Sequence, residues 1–125
     1  MVSVILVSHS DKLVQGLKEI CLQMAPQAKI YPIGGTADGD IGSDYDRIFQ
    51  TFCEVDEAIV FFDLGSSLFT SQLALEAIDE EKRSKILIMD TPMVESAIEA
   101  TVQASIGETL ENIVQMLDGY KMGKI

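Results

Sequence analysis

Residues 58–67 read AIVFFDLGSS. An apolar run with β-branched and aromatic residues goes straight into Asp, Gly and a pair of Ser. A run this short, closed by turn residues, is the pattern expected of a strand covered on both faces. Leu68, Leu73, Ala74, Ala77 and Ile78 then recur at helical spacing. The stretch therefore predicts a strand over 58–62 and a helix over 68–78.

The same alternation extends outward in both directions. Val2–Ser8 (VSVILVS) is nearly continuous in apolar residues and ends in Ser8-His9-Ser10. Ser10 or Asp11 supplies an N-cap, and Leu13, Leu17, Ile20 and Met24, with Val14 and Cys21 beside them, form an apolar helical stripe that stops near Pro26. Lys29–Ile33 is a short second strand, and the Gly- and Asp-rich stretch Gly34–Asp44 is loop. Tyr45–Glu54 carries Ile48, Phe49, Phe52 and Cys53 at helical spacing, capped by Ser43 or Asp44. Beyond the central stretch, Asp79–Ser84 reads as a charged connection and Lys85–Met89 as a fourth strand. Met93–Ser105, with Val94, Ala97, Ile98, Thr101 and Val102, and Thr109–Leu117 are the last helices.

Strands alternating with helices imply βαβ units in an α/β fold. The expected architecture is one domain over residues 1–125. It has an open, mostly parallel sheet of four strands in the order 2-1-3-4, with helices on both faces. The tail Gly119–Ile125 is left either to fray or to add an antiparallel edge strand. With this order, strands 1 and 3 are neighbours at a topological switch point, where ligands of open α/β sheets bind outside the carboxyl ends.

Composition narrows the partners. A net charge of −11 argues against nucleic acid and against an anionic membrane surface. No apolar run approaches the roughly 18 residues of a membrane span, and Met1–Ser8 is too short for a signal sequence. A cytoplasmic setting is expected, with Cys21 and Cys53 as buried free thiols. No Walker A loop, dinucleotide fingerprint, nucleophile elbow or metal-ligand spacing occurs. The Asp38, Asp40, Asp44 and Asp46 cluster reads as a solvated loop, so neither cofactor nor metal is expected.

The chemistry gathers at the expected switch point. His9 is the only His in the chain, and a neutral imidazole nitrogen is a competent nucleophile toward phosphorus. Asp63 closes strand 3, where a carboxylate would hold one ring nitrogen protonated and leave the other free. Gly65, Ser66 and Ser67 precede the next helix, whose N–H groups and dipole favour phosphate. Ser10, and Gly35 within the Gly34-Gly35-Thr36 turn, are expected to bind phosphate from the other rim of the same site. Each residue also has a plainer role: His9 and Asp63 as caps, and the Gly-Ser-Ser segment as an ordinary helix start.

Taken together, VILVSHS-x-x-L-x-x-G (from Val4), IGG (Ile33–Gly35), FFDLGSS (Phe61–Ser67) and Pro92-Met93-Val94-Glu95 before an alanine-rich helix resemble one family over nearly the whole chain. It is the DhaM family of phosphotransferase subunits of phosphoenolpyruvate-dependent dihydroxyacetone kinases, grouped with the mannose-type IIA domains. The resemblance implies a homodimer in which His9 takes a phosphoryl group from phosphorylated HPr. It further implies that the group passes to ADP bound in DhaL, while DhaK presents dihydroxyacetone. Nucleotide and Mg²⁺ would then belong to the partner subunit. By the same resemblance Asp63 orients His9, and Gly65, Ser66 and Ser67 line the phosphate pocket. Asp44 departs from the pattern, which suggests a small hydroxyl there. A sugar-specific mannose-type IIA domain is the nearest alternative. A receiver-like signalling module fits less well, because strand 1 ends in Ser-His-Ser rather than an acidic pair.

Overall fold

A computed structural model describes all 125 residues, Met1 to Ile125. Four strands form one sheet: β1 (Ser3–Ser8), β2 (Ile30–Gly34), β3 (Ala58–Phe62) and β4 (Ile86–Met89). Their order is β2-β1-β3-β4 and every pair is parallel, as the alternation of strand and helix predicts. The helices are α1 (Asp11–Met24), α2 (Tyr45–Glu54), α3 (Gly65–Glu76), α4 (Glu80–Arg83), α5 (Met93–Ser105) and α6 (Leu110–Met116).

Alternating strand residues feed two separate cores, because successive side chains point to opposite faces. Val4 and Leu6 of β1 pack with α1, α5 and α6 through Val14, Leu17, Ala97, Ala100 and Ile113. Ile5 and Val7 pack on the other face with Ile48 and Phe52 of α2 and Ala74 of α3. All six residues of β1 and all five of β3 are buried, which is why their sequences are continuous in apolar residues rather than alternating.

Several expectations need correction. The buried face of α1 is Val14, Leu17 and Cys21, continued by Ala25. Leu13, Ile20 and Met24 are exposed. Apolar residues cover more of this helix than the sheet and α5 can bury, and two stripes one position apart both satisfy the spacing. On α5 the small residues Ser96, Ala97, Ala100, Thr101 and Ala104 face inward, whereas Val94 is half exposed. Close helix–sheet approach favours small side chains there. Cys21 is buried, but Cys53 is exposed, on the turn of α2 opposite Ile48 and Phe52. The charged connection 79–84 contains the short helix α4, capped by Asp79 through the amide of Lys82. The tail adds no strand. It makes a 3₁₀ turn over Asp118–Tyr120 and then hydrogen-bonds to Asp90. No helix is long and apolar enough to cross a membrane.

Two glycines set the approach of α1 to β2. A Cβ at Gly34 would stand 2.5 Å from the Ser10 carbonyl oxygen and 2.6 Å from a Val14 methyl. Gly35 takes φ +74°, a conformation that side chains other than Gly's rarely tolerate.

Candidate functional site

Parallel register brings the ends of β1 and β3 together. Val7 is opposite Phe62, so Ser8 and Asp63 leave the sheet side by side, followed by His9 and Leu64. Asp63 collects donors from both segments. Its Oδ2 accepts from the Ser8 hydroxyl at 2.7 Å and from the His9 amide at 3.0 Å. Its Oδ1 accepts from the Leu64 amide at 2.7 Å and the Ser67 hydroxyl at 2.9 Å, and lies 3.1 Å from His9 Nδ1.

This pairing fixes the histidine tautomer. An ionised carboxylate only accepts, so Nδ1 carries the proton. The Ser67 Oγ, 3.0 Å from Nδ1, shares that N–H while giving its own proton to Asp63. Nε2 is left with its lone pair, which the hydroxyl of Ser66 meets. Burial alone would raise the Asp63 pKa. The hydrogen bonds from the Ser8 hydroxyl, the His9 amide, the His9 ring and the Ser67 hydroxyl outweigh it and hold the carboxyl at about 2, below its ordinary 3.8. Asp63 is therefore a fixed negative charge at neutral pH, able to stabilise positive charge developing on the ring.

The N-terminus of α3 completes the arrangement. This helix begins at Gly65 rather than Leu68, because Leu64 already has extended cap geometry. No side chain caps it, and while the Ser67 amide bonds the Leu64 carbonyl, the amides of Gly65 and Ser66 stay free for an anion. A Cβ at Gly65 would meet nothing within 4 Å, so the space in front of that turn is open. The His9 side chain is 18% exposed and that of Asp63 15%. The ring is thus pinned on one edge and open to another molecule on the other.

The sequence-expected residues fall into two groups. His9, Asp63, Ser66 and Ser67 converge on one imidazole, with Gly65 opening the helix beside it. Ser10 and Gly35 act on the backbone around Ser8 instead. The Ser10 amide donates to Ser8 Oγ at 3.0 Å, and its hydroxyl caps α1 by accepting from the Leu13 amide at 3.3 Å. The Gly35 amide donates to the Ser8 carbonyl at 3.1 Å. Asp44, the departure from the family pattern, caps α2 by accepting from the Arg47 amide at 3.2 Å.

Sequence reasoning missed two contributors. Ser8 gives its proton to Asp63 and receives the Ser10 amide. Its signal was a polar residue ending an otherwise apolar buried strand. Gly42 donates its amide to the His9 carbonyl at 3.0 Å, folding the Gly34–Asp44 loop against the site. No local pattern announces so distant a contact.

The sequence and the fold match known proteins. Residues 3–114 match a family model, EIIA-man, described as the PTS system fructose IIA component. The chain is 38% identical over 121 residues to phosphoryl donor subunit DhaM of the PEP-dependent dihydroxyacetone kinase 2 of Listeria innocua, spanning 94% of this chain and 97% of that one. It is 32% identical over 117 residues to phosphotransferase subunit DhaM of the PTS-dependent dihydroxyacetone kinase of Lactococcus lactis, with 92% of each chain covered. Among solved structures, a protein of unknown function, EF1359, superposes with a TM-score of 0.86 at 32% identity, covering 98% of this chain and 97% of that one.

Proposed function

The chain belongs to the EIIA-man family of the phosphotransferase system, and from that premise we propose that it is a phosphohistidine relay subunit serving a dihydroxyacetone kinase. In this reading His9 accepts a phosphoryl group from phosphorylated HPr and passes it to ADP held in DhaL, while DhaK presents dihydroxyacetone. The chain is then the phosphotransferase subunit of a phosphoenolpyruvate–glycerone phosphotransferase, cytoplasmic and homodimeric. ADP, ATP and Mg²⁺ reside in the partner subunit, and this chain needs no cofactor of its own.

The observation that carries the reading is the ring held at 3.1 Å between His9 Nδ1 and Asp63 Oδ1, with Nε2 facing the start of α3. The Nε2 lone pair forms the new N–P bond as the bond from phosphorus to the donor breaks, its electron pair leaving with the donor. The Nδ1 proton stays on the ring, and Asp63 offsets the imidazolium charge. Ser66 turns from the lone pair to a phosphoryl oxygen, joined there by amides of the first α3 turn. Transfer onward reverses the pattern: an ADP β-phosphate oxygen attacks phosphorus, and the N–P electron pair returns to Nε2. A ring that is partly exposed suits donors and acceptors that are themselves carried by proteins.

A sugar-specific IIA domain is the second reading, favoured by the description of the matching family model. The DhaM relatives support the dihydroxyacetone route. One labelling experiment tests both. Radiolabelled phosphoenolpyruvate, enzyme I and HPr are expected to place acid-labile, base-stable phosphate on the wild type and none on His9→Ala. Addition of DhaL with ADP is expected to discharge it rapidly. Labelling that survives His9→Ala rejects the relay, and phosphoprotein that DhaL cannot discharge points to the sugar pathway.

A further inference from the structure

One guanidinium lies near the carboxyl end of β2 with few partners of its own. Arg47 lies in the first turn of α2. That helix connects β2 to β3 and so crosses over β1, the strand between them. Its buried Ile48 and Phe52 pack with Ile5 and Val7 of β1. The Arg47 guanidinium reaches the carbonyl of Gly34, the last residue of β2 and the register partner of Ser8. Two backbone bonds draw the same loop to His9, from Gly35 to the Ser8 carbonyl and from Gly42 to the His9 carbonyl. The first turn of α2 and the first turn of α3 thus flank the segment that carries the histidine.

The guanidinium is barely engaged where it lies. Of its N–H donors, one reaches the Gly34 carbonyl at 3.4 Å, and its ion pair with Asp44 is 4.0 Å long. Both contacts are at the outer limit of such interactions. Its side chain is 40% exposed, so little desolvation is lost or regained when it moves. Other cations are committed or lie elsewhere: Arg83 ends α4, ahead of β4, Lys18 lies beyond the first turn of α1, and Lys124 is in the tail beside Asp90. Lys29 and Lys85 precede β2 and β4 at the opposite edge of the sheet. Lys82 bonds the carbonyls of Cys53 and Val55, and Lys121 pairs with Asp118. Lys12, exposed on α1, is a point charge without a planar fork.

We propose that Arg47 is a phosphoryl-binding residue of the relay, leaving the Gly34 carbonyl to grip two oxygens of the group on His9. The inference rests on the His9 reading above. Its electrostatic motive is plain. The chain carries a net charge of −11, and Asp63 sits beside the acceptor. A dianionic group arriving there meets repulsion that one forked cation relieves. Arg47 gives neither proton nor electrons. The bonds made and broken are those already written, and the guanidinium only holds charge on the equatorial oxygens.

The test combines rate and titration. Single-turnover transfer from phosphorylated HPr is measured for wild type, Arg47→Ala, Arg47→Gln and Arg47→Lys, alongside thermal denaturation. The expected result is transfer slowed about 10- to 100-fold in Arg47→Ala and Arg47→Gln, with partial recovery in Arg47→Lys and melting curves near wild type. If Arg47→Ala fails to fold, Arg47→Gln, which keeps a donor for the Gly34 carbonyl, decides by the same comparison. In the phosphorylated protein, the ³¹P titration midpoint of the phosphoryl group is expected at higher pH in Arg47→Gln than in wild type, a change that a purely structural arginine does not produce. Wild-type rates together with an unmoved midpoint overturn the proposal while leaving the relay intact. A wild type that takes no phosphate overturns both.

Discussion

Asp63 and Asp90 are the same residue in the same local setting, each directly following the last residue of a strand, β3 or β4. Their surroundings diverge. Asp63 lies beside the end of β1 and gathers side-chain and backbone donors from Ser8, His9, Leu64 and Ser67. Asp90 ends an edge strand, with only β3 beside it. Its Oδ2 takes the amides of Lys124 and Ile125 from the chain's own tail, and its Oδ1 is buried without a partner. A carboxylate at the switch point meets a second strand end with its own side chains. One at the sheet edge meets whatever backbone passes by. Strand order, rather than residue type, is what turns one of them into half of an acid–base pair.

That contrast breaks most easily at Asp63. Asp63→Asn is expected to keep the fold but slow phosphoryl transfer by about 10²- to 10⁴-fold, since an amide neither fixes the Nδ1–H tautomer nor offsets ring charge. Single-turnover rates equal to wild type would show that the carboxylate is ornamental. The same substitution reads out in acid. Because the folded-state value of about 2 lies below 3.8, ionised Asp63 stabilises the fold fully above that higher value and loses its contribution as pH falls through the lower. With solvent screening allowed for, the gap corresponds to stability on the order of 1–2 kcal/mol. Denaturant titrations are expected to show a steeper loss of stability in wild type than in Asp63→Asn over that window; parallel curves would contradict the pairing.

Asp90 sharpens the comparison from the other side, with the smallest effect. Asp90→Asn is expected to leave transfer within about twofold of wild type, because the site is separated from it by β3. Amide exchange at Lys124 and Ile125 is expected to accelerate as their acceptor weakens. A transfer defect as large as that of Asp63→Asn would mean that the two strand ends are not independent.

Much of this was legible in the sequence, for identifiable reasons. Strands buried on both faces write themselves as unbroken apolar runs, so β1 and β3 could be read directly, and the order 2-1-3-4 expected for such an alternation of strands and helices is the order observed. The Ser8–Ser10 and Asp63–Ser67 segments could be joined because that order makes their strands neighbours. Which face of α1 is buried could not be read, since Leu13, Ile20 and Met24 satisfy the same period as Val14, Leu17 and Cys21. The starting point of α3 was hidden because Leu64 is an unusual cap, with no side-chain oxygen. Ser8 could have been read from the polar end of an apolar strand, whereas the Gly42 amide on the His9 carbonyl and the Arg47 contact with Gly34 depend on how the Gly34–Asp44 loop folds, and no local spacing encodes them.

The most direct test of the central claim is nitrogen-15 and phosphorus-31 spectroscopy of the ring-labelled, phosphorylated protein. Phosphorus is expected to couple to His9 Nε2, with a protonated Nδ1 still hydrogen-bonded to Asp63. Phosphorus on Nδ1, or on the hydroxyl of Ser66, would contradict it.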